Sequence, residues 1–123
     1  MEPLIPTDTE LLAGLEMGGI PIATVLSQIT GLRSLFVRKT AKTHGTCKLA
    51  EGPDFDGKRV LIIEDIVSSG GQIVLSTSDL RQRGAVVSHA LCAIDRESGG
   101  AQNLADAGIA LHSVFRAGDL NPR

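Results

Sequence analysis

The chain has no tryptophan or tyrosine and only three phenylalanines in 123 residues. With 42% of the residues hydrophobic, and most of those Ile, Leu and Val, the core must be aliphatic. Charge of one sign is also lacking: 12 basic and 14 acidic residues leave a net charge of −2. That balance excludes a polybasic nucleic-acid binder, and the apolar content excludes a disordered chain. No apolar run approaches the roughly 20 residues of a membrane span. The start, Met1-Glu2-Pro3-Leu4, lacks the basic and apolar regions of a signal peptide. A soluble, cytoplasmic single domain is the expectation, because one core usually takes roughly 100–200 residues.

Metal-binding spacing is missing too. The two cysteines, Cys47 and Cys92, form no CxxC unit, and an intracellular chain is expected to keep them reduced. His44, His89 and His112 are scattered, so no dedicated metal cage is expected. His89, Cys92 and His112 lie in or near apolar strand runs and read as core or strand-face residues.

What is present is alternation of strands and helices. Leu11–Leu15 reads as a buried strand ending at the glycine turn Glu16-Met17-Gly18-Gly19. Pro21 suits a helix's first turn, and Ile22, Val25, Leu26 and Ile29 continue at helical spacing to Gly31. Leu35–Val37 is a second strand, and Arg59–Asp65 is the clearest in the chain. The turn Ser68-Ser69-Gly70-Gly71 leads into a helix that stops at Gly84. A strand over Ala85–Ile94, a helix near Ala101–Ala107 and a strand over Ile109–Phe115 follow. The pattern predicts an α/β fold with a mostly parallel five-stranded sheet flanked by helices. Between them, residues 38–57 are polar and Gly/Pro-containing, a length that marks a functional or flexible loop.

Open parallel sheets bind ligands beyond the carboxyl ends of their strands. Glu64 and Asp65 stand at such an end, where carboxylates accept hydrogen bonds from vicinal sugar hydroxyls or reach a divalent cation. Ser68 and Ser69 add hydroxyls, Gly70 and Gly71 allow close approach of backbone N–H groups, and the next helix presents its positive end. This is a cradle for a phosphorylated sugar, although a plain capped βα turn with a solvated strand end has the same residues. Neither a Walker A loop nor a dinucleotide GxGxxG turn is present. Upstream, Arg38, Lys39, Lys42 and His44 gather cationic or titratable groups within seven residues. Such a cluster suits a polyanion and proton transfer, or else is a solvated basic loop.

Val60-Leu61-Ile62-Ile63-Glu64-Asp65-Ile66-Val67-Ser68-Ser69-Gly70-Gly71 resembles the phosphoribosyl pyrophosphate (PRPP) motif of type I phosphoribosyltransferases. The resemblance implies that Glu64 and Asp65 hold the ribose hydroxyls while Ser68, Ser69, Gly70, Gly71 and Gln72 wrap the 5′-phosphate, with Ile66 and Val67 lining the site. Arg38-Lys39-Thr40-Ala41-Lys42-Thr43-His44-Gly45 is similar to the basic loop of orotate phosphoribosyltransferases. By that likeness Lys42 and His44 are catalytic, and Arg38 and Lys39 join them as pyrophosphate ligands. This loop is more basic than usual, with Thr40 and Thr43 where the family often has acids. Gly18 and Gly19 match the turn that meets pyrophosphate, and Gly18 replaces a lysine found in some relatives. Asp95-Arg96 resembles the family pair whose arginine contacts orotate, so Ser68 and Arg96 are the expected orotate contacts; a strand-terminal ion pair is the other reading.

The family implies magnesium held mainly through PRPP, and a homodimer in which the basic loop completes the neighbour's site. It implies transfer of the phosphoribosyl group to orotate, giving orotidine 5′-monophosphate in pyrimidine biosynthesis. The family normally carries a hood over the base, N-terminal to this region, whereas ten residues precede Leu11 here. A regulatory PRPP-binding protein, or an enzyme for another base, therefore stands beside the first reading.

Overall fold

The computed structural model describes residues 1–39 and 50–120. Within them the chain runs β1 (Leu11–Leu15), α1 (Gly19–Thr30), β2 (Arg33–Val37), β3 (Ala50–Glu51), β4 (Arg59–Val67), α2 (Gly71–Gln82), β5 (Val86–Asp95), α3 (Gly100–Asp106) and β6 (Ala110–Arg116). Single 3₁₀ turns at Glu2–Leu4 and Ala117–Leu120 bracket this series.

The strands form one sheet in the order β3-β2-β1-β4-β5-β6. Every pairing is parallel except that of β3 with β2. The α/β alternation predicted from the sequence is present, but the sheet has six strands rather than five. The sixth, β3, pairs Ala50 and Glu51 with Val37 and Phe36. It lies inside the expected 38–57 loop, and two residues carry no periodicity by which to be seen. Residues 40–49 of that loop, with Lys42, His44 and Cys47, lie outside the described residues.

Two apolar layers hold the sheet. On one face, Leu12, Leu61, Ile63 and Leu91 pack against Ala23 and Leu26 of α1. On the other, Leu15, Leu35, Ile62, Ala90 and Cys92 cluster with Ile73 and Leu80 of α2 and Leu104 of α3. Leu12, Ile62, Ile63 and Leu104 are completely enclosed, each contributing about 1.5–3 kcal/mol over its exposed state. No aromatic ring enters either layer's fully buried set, as the composition requires.

This topology fixes where a ligand can sit. From β1 the chain moves outward to β2, whereas β4, β5 and β6 run to the other side. The carboxyl ends of β1 and β4 therefore flank the point where strand order reverses, the crevice at which such sheets bind ligands.

Candidate active site

Four chain segments meet at that end of the sheet: the turn after β1, the residues following β2, the end of β4 with the start of α2, and the residues after β5. The acidic pair does not stand beyond β4 but within it, because Ile66 and Val67 prolong the strand. Consecutive strand residues alternate in direction, yet the Glu64 and Asp65 side chains stay within hydrogen-bonding reach of each other. Glu64 lines a cavity of about 210 Å³ together with Ile66, Val67, Ser68, Ser69, Gly70, Gly71 and Gln72. Asp65 lies against Gly18 of the turn after β1.

Each carboxylate is partly held by the backbone that follows it. Glu64 Oε1 accepts the Asp65 N–H at 3.0 Å, and Asp65 Oδ1 accepts the Ile66 N–H at 2.8 Å. Burial, reinforced by the neighbouring Asp65, pushes the Glu64 carboxyl up to about 7, against the partial relief of that backbone N–H and of the Lys39 charge. Glu64 thus titrates near neutrality, and hydroxyl donors or cations reaching the cavity favour its ionised form.

The turn after β1 needs glycine for contact rather than for flexibility. A Cβ at Gly18 would fall on the Asp65 carboxylate, and one at Gly19 on the carbonyl oxygen of Ile63. The glycines bring this backbone onto β4, and α1 begins at Gly19, so its first turn points at the crevice. The Ser68–Gly71 turn is braced from α3: Asn103 Nδ2 donates to the Ser69 carbonyl at 2.9 Å. Ser69 Oγ accepts the Gly71 N–H at 3.3 Å, while Ser68 and Ser69 remain exposed.

Beyond β2, Arg38 pairs with Glu51 of β3 at 3.5 Å, on the rim of a second cavity of about 210 Å³ shared with Glu16, Ile20 and Phe36. The backbone of Lys39 is held on both sides. Glu16 Oε1 accepts its N–H at 2.8 Å, and Gln72 Nε2 donates to its carbonyl at 2.9 Å. Gln72 also donates to Ser76 Oγ at 3.1 Å, so its side chain reaches toward Lys39 and Ser76 while its residue borders the cradle.

After β5, the Arg96 N–H donates to the Val67 carbonyl at 2.9 Å, which fixes the arginine backbone beside the end of β4. The buried Asp95 carboxylate accepts the Glu97 N–H at 2.8 Å. No ion pair joins Asp95 to Arg96 among the described residues, and Arg96 is exposed.

The structure thus gathers Gly18, Gly19, Arg38, Lys39, the residues from Glu64 to Gln72 and Arg96 around one strand end. Lys42 and His44 lie outside the described residues. His89 and His112 are half-buried strand residues on β5 and β6, their rings stacked 5.2 Å apart with Nδ1 and Nε2 at 3.0 Å. Cys92 pairs in register with Glu64 and is buried, and burial followed by nearby carboxylates pushes its thiol up to about 12. All three are core or strand-face residues, as the sequence predicts. Sequence reasoning missed the Glu16 and Gln72 side-chain roles and the Asn103 brace. Glu16 carried a weak signal, an acid directly before a glycine turn at a strand end.

Comparison with known proteins adds to this geometry. The family described as "Phosphoribosyl transferase domain" matches residues 5–111. An orotate phosphoribosyltransferase of Nocardioides sp. is 50% identical over 121 residues, 98% of this chain and 68% of its own. One from Methanocella arvoryzae is 38% identical, over 95% of this chain and 67% of its own. The crystal structure of Mycobacterium tuberculosis orotate phosphoribosyltransferase in complex with PRPP superposes with a TM-score of 0.81 at 28% identity, covering 94% of this chain and 67% of that one. The chain spans about two thirds of the length of these relatives.

Proposed function

The chain belongs to the phosphoribosyltransferase family, among the orotate phosphoribosyltransferases, and from that premise we propose that it transfers the phosphoribosyl group of PRPP to orotate. The products are orotidine 5′-monophosphate and pyrophosphate, a step of pyrimidine biosynthesis. The observation that carries this reading is the placement of two glycine turns, Gly18-Gly19 after β1 and Gly70-Gly71 after β4, at the carboxyl ends of neighbouring parallel strands. One offers backbone N–H groups to the pyrophosphate, and the other, at the start of α2, to the 5′-phosphate. The acidic pair between them takes the ribose hydroxyls.

In this reading the C1′–oxygen bond to pyrophosphate breaks as the orotate nitrogen attacks, and positive charge gathers on the ribose ring. Glu64 and Asp65 hold the ring and offset that charge, while Arg38, Lys39, Lys42 and His44 offset the charge growing on the departing pyrophosphate. Arg38, half-buried and paired with Glu51 of β3, is the cation at the edge of this group. Arg96, unpaired with Asp95, faces the orotate carboxylate, and Ser68 adds a hydroxyl.

Among the described residues no group of three His, Cys, Asp or Glu forms a cage for a metal, whereas Glu64 and Asp65 supply hard oxygen donors at the crevice. That donor set fits a magnesium ion that arrives on PRPP and keeps most of its other ligands as water. When bound, the ion would neutralise part of the pyrophosphate charge. The reading includes a cytoplasmic homodimer in which the basic segment serves the partner's site.

Lys42→Ala and Asp65→Asn test the assignment together. The first is expected to abolish orotate turnover while sparing most PRPP affinity measured by calorimetry, and the second to weaken PRPP binding itself. Equal behaviour of both variants and the unaltered chain would overturn the placement of the site. Sedimentation with PRPP present tests the dimer, and a monomer would contradict it.

A further inference from the structure

Lys39 is the second residue beyond the end of β2, where ladder bonding has ceased, yet both of its backbone polar groups are engaged by side chains from other site segments. Glu16, from the turn after β1, takes the N–H at 2.8 Å, and Gln72, from the first turn of α2, gives a hydrogen bond to the carbonyl at 2.9 Å. The Glu16 bond is charge-assisted, and such bonds are roughly twice as strong as neutral ones. Glu16 is itself fixed, since its own N–H donates to the Val37 carbonyl at 2.8 Å. Gln72 is steadied by Ser76, a buried residue of α2. The chain of contacts Glu16–Lys39–Gln72–Ser76 therefore joins the pyrophosphate turn, the end of β2 and the phosphate cradle.

We propose that Glu16 and Gln72 are positioning residues for Lys39, holding its cationic side chain in place at the crevice so that it recognises a diphosphate group. The inference rests on the phosphoribosyltransferase reading for its substrate, but its geometry concerns only how one cation is preorganised. A lysine on a backbone free to move surrenders part of its binding energy to ordering, and a backbone clamped from both sides does not. The Lys39 charge already favours the ionised form of Glu64, which places the ammonium within electrostatic reach of the cradle. Gln72 then contributes to anion binding through Lys39, in addition to any contact its backbone makes.

A double-mutant cycle read with magnesium pyrophosphate as the probe tests this. Gln72→Met and Glu16→Met each keep the side chain's bulk and remove the clamp, and each is expected to weaken pyrophosphate binding about tenfold. Glu16→Gln keeps an acceptor and is expected to restore most of that loss. In a Lys39→Ala background Gln72→Met should cause no further loss, and amide exchange at Lys39 should be faster in both Met variants than in the unaltered chain. Unchanged affinity in the Met variants, or a Gln72→Met loss that persists in full without the Lys39 side chain, overturns the proposal. Orotate turnover in the same preparation reports on the enzyme reading separately: its absence beside an intact cycle would sink that reading and leave the clamp standing.

Discussion

Gly18 and Asp65 occupy each other's space: the position a Cβ would take on the glycine is filled by the aspartate's carboxylate. One residue closes the turn after β1 and the other lies near the end of β4, so their contact crosses the sheet's switch point. A side chain at position 18 and the present Asp65 conformation are mutually exclusive.

The two glycines of this turn are predicted to fail differently. Gly18→Ala meets only the far end of a flexible side chain, so Asp65 rotates away and stability changes little. Affinity for PRPP falls about tenfold as the carboxylate leaves its place. Gly19→Ala meets the Ile63 backbone and costs about 1–3 kcal/mol of stability as an overpacked contact. Thermal unfolding and PRPP titration of the two variants separate the effects; equal melting temperatures would refute the distinction.

Glu64 predicts a dependence on pH. Its folded value of about 7 lies above the ordinary 4.5, so the folded state retains a proton that the unfolded chain has released. Its contribution to stability is full below about 4.5 and is lost as pH rises through about 7. Ribose hydroxyls donate to the ionised form, so PRPP affinity rises across the upper part of the same window and binding near pH 6.5 releases protons. Calorimetry in buffers of different ionisation heat measures that release, and Glu64→Gln should abolish it. Release undiminished in the variant would assign it to another group.

Cys92 is predicted to be inert in the native protein. A thiol held near 12 presents almost no thiolate at neutral pH, and the side chain is fully enclosed. Iodoacetamide labelling mapped by mass spectrometry should modify Cys92 only after denaturation. Rapid native labelling would show that β5 opens beside Glu64.

Much of this site was legible because single residues carry their own chemistry. The run Val60–Asp65 announces a strand by its apolar β-formers, the serines and glycines announce a tight turn, and the sheet's parallel connectivity then fixes their shared location. What stayed hidden depends on tertiary approach. Ile66 and Val67 belong to β4, so Glu64 and Asp65 lie within the strand rather than beyond its end. The Glu16 and Gln72 clamp exists only because three segments distant in sequence converge on the backbone of Lys39. The strand β3 is too short to show a period and forms because it can pair with the edge of β2.

The most direct measurement is orotate-dependent release of pyrophosphate from PRPP and magnesium by this chain. The account predicts release that requires orotate and disappears in Lys42→Ala. Binding of PRPP with no orotate-dependent release would contradict the enzymatic claim and leave a PRPP-binding protein in its place.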